Sequence, residues 1–169
     1  ESLKKINEFL AQEVKKENVS WLGNLSLATI SIKDLNLNFS KVGEIKILLS
    51  RESQILDIGK RLDFQEVEPY PLKVFSNVVS GKLVQNDKII ILSKEAFEFF
   101  SSQNLIQKIA KEIPLEEKGL KRILKPVEKA LSEIFGIFLL IQLEPQIQPK
   151  YAFSFEKKNL GKRKCRTKG

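Results

Sequence analysis

The spacing of apolar residues changes at Asn24, and this change limits the fold more than any other feature of the chain. Before it, Leu3, Ile6, Leu10 and Val14 recur at helical intervals with Phe9 beside them, while Lys, Glu and Gln fill the other face. That pattern predicts an amphipathic helix over residues 1–16. After a loop containing Trp21 the period drops to two. Leu25 to Ile32 is apolar or small on both faces, which suits a strand covered on both sides. Leu35, Leu37 and Phe39 alternate with Asn36, Asn38 and Ser40, the mark of a half-buried strand. The chain turns at Gly43, continues as a strand through Ile45, Ile47 and Leu49, and returns over Gln54 to Asp57.

The second half has a different rhythm. Residues 58–72 are polar and carry Pro69 and Pro71, as in a loop. Val74 to Leu83 is expected to be extended, with a bend at Gly81 and a turn at Asn86-Asp87. Ile89 to Leu92 is a fully apolar strand, and Ser93 stands where a helix N-cap belongs, its hydroxyl free to accept from a first-turn amide. Short helices follow over Ala96–Phe100, with Phe97 and Phe100 inward, and over Asn104–Glu112. Others start at Pro114, a good first-turn residue, and at Pro126. Gly136 to Leu143 is expected to be a final buried strand. Hairpin-linked strands with helices grouped elsewhere predict an α+β fold rather than parallel βαβ units.

The chain has 169 residues, enough for one compact unit with a real core. Residues 1–144 are read as that domain and 145–169 as a proline-containing linker with a basic, disordered tail. The net charge of +8 sits mostly in this tail, because residues 151–169 hold seven Lys/Arg and one acid, Glu156. The body is nearly neutral, which argues against a nucleic-acid-binding fold built on a basic face. The longest apolar run, Ile134 to Ile141, is far shorter than the roughly 20 residues a membrane-spanning helix needs. No signal peptide is visible at Glu1, so a cytoplasmic location is expected. The absence of Met marks the sequence as a fragment or processed form of a longer product.

The chemistry open to such a chain is narrow. It has no His, so His-based catalysis and His metal sites are excluded for these residues. The single cysteine, Cys165, can form neither an internal disulfide nor a cysteine-cluster metal site. It lies among Lys162, Lys164 and Arg166, whose charges would lower a thiol pKa, but a thiol in a tail has no substrate pocket. There is no P-loop, GxGxxG, GxSxG or HExxH motif. Asp34 and Asp87 fall in turns, where Asp bonds its own backbone. Most Glu residues share helix faces with Lys. Glu44 beside the Gly43 turn is the acid most worth following. Ser93 and Lys94 suggest a Ser-Lys nucleophile, but neighbours in sequence rarely face each other, and capping accounts for Ser93.

Three strings, in order, resemble the PPM-type metal-dependent Ser/Thr protein phosphatases. Phe39 to Leu49 (FSKVGEIKILL) resembles that family's ANVGDSRAYL hairpin, with Gly43 at the glycine and Glu44 where Asp is usual. Lys82 to Ser101 (KLVQNDKIIILSKEAFEFFS) resembles its GD turn, apolar strand and SDG helix start, with Asp87 at the GD position and Ser93 at the Ser of SDG. Phe135 to Ile141 (FGIFLLI) resembles the closing DNITVIV strand. The resemblance implies an α-β-β-α sandwich of antiparallel sheets flanked by helices. It also implies a catalytic centre in which Asp residues hold two Mn²⁺ or Mg²⁺ ions that activate water against a phosphoryl group.

The departures fall on that centre. Lys94 and Glu95 stand at the Asp and Gly of SDG, Phe135 and Gly136 stand at the Asp-Asn, and the DGxGG segment would lie upstream of Glu1. Hard divalent ions want carboxylate oxygens, and an ammonium repels them by about 4 kcal/mol at 4 Å and an effective dielectric near 20. The expectation is a phosphatase-like domain, impaired or inactive, with a binding or regulatory role toward a protein partner and no cofactor. One alternative is an active phosphatase, using Mn or Mg, whose ligands lie outside these residues. Another is binding of an anionic partner, nucleic acid or a membrane surface, through Lys162, Arg163, Lys164, Arg166 and Lys168 in the tail. Membrane association through sequence beyond this stretch is a related expectation.

Overall fold

The computed structural model describes residues 1–22, 24–63, 68–69 and 72–144. Helix α1 (Ser2–Lys15) opens the chain and is followed by strands β1 (Leu27–Lys33), β2 (Asn36–Val42), β3 (Ile45–Arg51) and β4 (Gln54–Asp57). A 3₁₀ turn at Lys60–Leu62 and two two-residue strands, β5 (Glu68–Pro69) and β6 (Leu72–Lys73), lead to β7 (Val79–Lys82) and β8 (Lys88–Ser93). Four helices then cluster: α2 (Lys94–Ser102), α3 (Leu105–Lys111), α4 (Glu117–Leu124) and α5 (Glu128–Leu131). Strand β9 (Phe138–Gln142) is the last described element.

The strands form two main antiparallel sheets, one in the order β1-β2-β7 and the other β4-β3-β8-β9. The alternation in β8 shows how they stack. Ile89 and Ile91 join Leu37, Phe39, Ile47, Leu62 and Leu83 in a core between the sheets. Ile90 and Leu92 turn the other way and join Leu48, Ala96, Phe100, Leu105, Ile106 and Ile109 under the helices. A run of four apolar residues therefore fits a strand buried on both faces. Phe100 stacks at 4.7 Å on Phe138 and seats α2 on β9. On the other side, α1 is held by the Asn7 amide, whose Oδ1 accepts from the Val74 and Phe75 amides at 3.1 and 3.0 Å. Its Nδ2 donates to the Phe75 carbonyl at 2.9 Å. The result is the expected α+β, α-β-β-α arrangement.

Several local expectations need correction. β1 is the edge of its sheet and holds no fully buried residue, because only one face of its small side chains meets the core. β9 is also an edge strand, so Ile137 and Leu139 stay exposed instead of buried. Gly81 is no bend: it pairs with Leu37 inside β7. The helix expected from Pro114 begins at Glu117. Ser93 does occupy the N-cap position of α2 in extended conformation, but its hydroxyl bonds no first-turn amide. It accepts from the Ile137 amide at 3.2 Å, while the Ser93 amide donates to the Ile137 carbonyl at 3.0 Å.

Candidate functional site

The site is built from the tip of the β2–β3 hairpin, the start of α2 and the chain after the 3₁₀ turn. Gly43 makes the hairpin tip possible. Its φ is +73°, and a Cβ there would lie 2.3 Å from the Leu25 carbonyl oxygen, so both conformation and space require glycine. The turn delivers Glu44 toward α2, where Lys94 is the first helical residue. The Lys94 ammonium donates to both oxygens of the Glu44 carboxylate, at 2.8 and 2.9 Å. This hydrogen bonding lifts the Lys94 pKa above its ordinary value.

Behind that pair lies a cavity of about 500 Å³. Its apolar wall includes Leu62, Val74 and Phe97, and its charged lining adds Lys41, Lys46, Asp63 and Glu98. Lys41 is 1% exposed, and its ammonium is paired with Asp63. Lys46 bonds Asp63 at 2.9 Å and Asp57 at 3.4 Å. The Asp63 bond raises the Lys46 pKa. Burial alone would raise the Asp63 carboxyl, but the hydrogen bonds from Lys41 and Lys46 outweigh it and hold the group below its ordinary range. The other Asp57 oxygen, Oδ1, is buried with no hydrogen-bond partner among the described residues.

A divalent ion does not fit this set. The Glu44 carboxylate, which faces the cavity at the tip, has both oxygens engaged by an ammonium. Asp63 is spanned by two more. Among the described residues no group of three or more Asp, Glu, His or Cys could share an ion. Among the described residues each lysine of the cavity already faces a carboxylate, so its cations are balanced beside an apolar wall.

The positions singled out from sequence separate into three places. Gly43, Glu44 and Lys94 line the cavity. Ser93, Glu95 and Gly136 lie around the start of α2, where Gly136 comes so close that a Cβ would sit 2.8 Å from the Ser93 hydroxyl. Phe135, next to Gly136, projects into solvent. Asp87 lies at the opposite end of β8, away from the cavity, and is 1% exposed. There it accepts from Arg51 Nε and Nη2 at 2.9 and 2.7 Å and from the Val84 amide at 2.8 Å, a structural role. The linker and tail expected over 145–169, with Cys165 and the basic residues Lys162, Arg163, Lys164, Arg166 and Lys168, lie outside the described residues. Sequence reasoning missed Lys41, Lys46, Asp57 and Asp63. Lys41 carried a usable signal: it continues the inward row of Leu37 and Phe39, and a charge on an apolar row needs a buried partner.

Compared by sequence, the chain matches no family model and no curated protein. Compared by structure, it is similar to the phosphatase domain of the cell-fate determinant SpoIIE from Bacillus subtilis, with a TM-score of 0.56 at 20% identity. The match covers 89% of this chain and 67% of that one. The Mn-presoaked form of the same domain gives a TM-score of 0.57 at 18% identity, over 90% of this chain and 76% of that one. The Mycobacterium tuberculosis serine/threonine phosphatase PstP/Ppp gives 0.53 at 13% identity, over 82% and 68%. The chain thus has the fold of the PPM-type Ser/Thr phosphatase domains.

Proposed function

We propose that this phosphatase-type fold acts as a binding or regulatory module without metal-dependent catalysis. The observation that carries the reading is the bidentate Lys94–Glu44 pair. At the chain position that resembles the Asp of SDG the residue is an ammonium, and its counter-ion, Glu44, stands where the hairpin string has Asp. Metal-assisted hydrolysis needs a cation that both polarises the phosphoryl group and lowers the pKa of water. An ammonium locked to a carboxylate supplies neither an open coordination position nor an ionisable water. What remains is a rigid cleft whose apolar wall and balanced rim suit contact with a protein partner.

The test is hydrolysis of a generic aryl phosphate by the purified chain while Mn²⁺ is titrated, with direct Mn²⁺ binding followed by paramagnetic resonance. No metal-dependent turnover and no site-bound Mn²⁺ are expected. Turnover that saturates with Mn²⁺ and is lost in Glu44→Gln would overturn the proposal.

A further inference from the structure

Among the described residues no strand pairs with the outer edge of β9, and that edge has three properties that a protected edge lacks. First, it is apolar and exposed: Leu139 within β9 is 48% exposed, and Phe135 and Ile137 just before it are 98% and 68% exposed. Second, residues 135–143 (FGIFLLIQL) contain no charge and no proline, the devices that usually blunt sheet edges. Third, its backbone is available. The Ile137 carbonyl and the Leu143 amide point to β8. By antiparallel alternation Leu139 and Ile141 do the same, which leaves the N–H and C=O groups of Phe138, Leu140 and Gln142 on the free side.

About Leu139 three of the four mirrored pairs of this run set apolar against apolar, and Gly136 falls opposite Gln142. Phe138 mirrors Leu140, Ile137 mirrors Ile141, and Phe135 mirrors Leu143. We propose that β9 pairs with β9 of a second copy, antiparallel and centred on Leu139, so that two four-stranded sheets become one continuous sheet. The phase of the free edge agrees with this register. Phe138 and Leu140 of opposite copies would exchange main-chain hydrogen bonds, and the two Leu139 residues would form the intervening non-hydrogen-bonded pair. A register centred on Leu140 would set Phe138 against Gln142 and Gly136 against Glu144, a poorer match.

The area sets the strength. A fully exposed Phe presents roughly 200 Å², and the whole strip over both copies covers on the order of 1,000 Å², at the low end of specific interfaces. The dimer is therefore weak and dependent on concentration.

The experiment uses the chain 1–169 in sedimentation velocity from micromolar to millimolar concentration, with Cys165→Ser as background for cysteine variants. Mass should roughly double across that range, and Leu139→Lys, at a half-exposed position, should remove the doubling while the circular dichroism spectrum is kept. Under mild oxidation Leu139→Cys should cross-link, because paired Cα atoms about 4.5 Å apart lie within disulfide reach. Ile137→Cys should not, because its two copies would lie roughly 13 Å apart along the strands. A monomer throughout, or cross-linking by Ile137→Cys as efficient as by Leu139→Cys, would overturn the inference. So would a monomer whose Phe138, Leu140 and Gln142 amides resist hydrogen exchange, because another strand would then own that edge.

Discussion

The two ends of β8 treat charge in opposite ways. At the cleft end, Lys94 and Glu44 meet across the surface, both largely exposed, Lys46 and its aspartates are part-exposed, and only Lys41 is buried. At the other end, Asp87 and Lys88 are almost completely buried and fully bonded. The Lys88 ammonium donates to the carbonyls of Ile109, Ala110 and Glu112 at 3.0, 3.2 and 2.5 Å, and so caps the C-terminal end of α3. Asp87 gathers Arg51 and the Val84 amide. Buried charge survives only when its hydrogen bonds are met, so the far end is where ionic groups hold the fold together. Exposed pairs contribute little to stability, so the Lys94–Glu44 pair shapes the charge of the cleft rim more than it holds the fold.

The largest effects should therefore come from the far end. Lys88→Met would leave three helix-end carbonyls without a donor, at about 1–3 kcal/mol for each unsatisfied buried group, partly offset by no longer burying an ammonium. A net loss of about 3 kcal/mol is expected in urea unfolding followed by circular dichroism. A loss under about 1 kcal/mol would show that water replaces the ammonium freely and would erase the contrast. Asp87→Asn should cost about 2 kcal/mol, since it removes a charged acceptor shared by Arg51 and Val84 while keeping the shape. If Asp87→Asn instead left stability unchanged and altered ligand binding, Asp87 would belong to the functional cleft after all.

This contrast is only half legible in the sequence. The alternation of Leu35, Leu37 and Phe39 and the solid run Ile89–Leu92 determine both sheets and their cores, because period and burial are local consequences of side-chain order. The hairpin tip is equally legible, since Gly43 and Glu44 sit where a tight turn must be. The meeting of Glu44 with Lys94 is not, because they are 50 residues apart and only the packing of α2 on its sheet brings them together. Edge status is also hidden. LSLATISI and GIFLLIQL are apolar on both faces, yet both lie at sheet edges, because strand order is decided by long-range pairing that neither string encodes. The turn at Asp87 can be read from its neighbours, but its partner Arg51 can only be found across two strands.

Alkaline pH separates the two ends by sign. Lys46 has a raised pKa in the folded protein, so its contribution is complete below its unfolded value of 10.5 and is lost as pH rises through the higher folded value. Lys88 is lowered, chiefly by desolvation, so its cost is complete below the folded pKa and is relieved as pH climbs toward 10.5. Lys46→Ala should flatten the alkaline loss of stability, and Lys88→Met should remove the alkaline gain. At the acid end, Asp63 is lowered from 3.8, so its contribution is present above that value and disappears as pH falls through the folded pKa. Urea midpoints measured from pH 2 to 11 would show all three. Equal slopes for the two lysine variants would mean that their environments do not differ as the structure shows.

The smallest expected effect is the most informative about the cleft. Lys94→Ala removes an exposed ammonium from an exposed carboxylate, so the unfolding midpoint should not move within error. The same change frees both oxygens of Glu44 beside an apolar wall. Because Lys41 and Lys46 still span Asp63, Glu44 and Glu98 are too few ligands for a hard cation, and Mn²⁺ should remain unbound. Lys94→Asp supplies a further carboxylate at the start of α2 and should produce weak Mn²⁺ binding, seen as line broadening in paramagnetic resonance, without turnover. If Lys94→Ala alone captured Mn²⁺, the ammonium would be a removable plug over an intact metal site. If neither variant bound it, the charges of Lys41 and Lys46 would keep a cation out of the cleft even without Lys94.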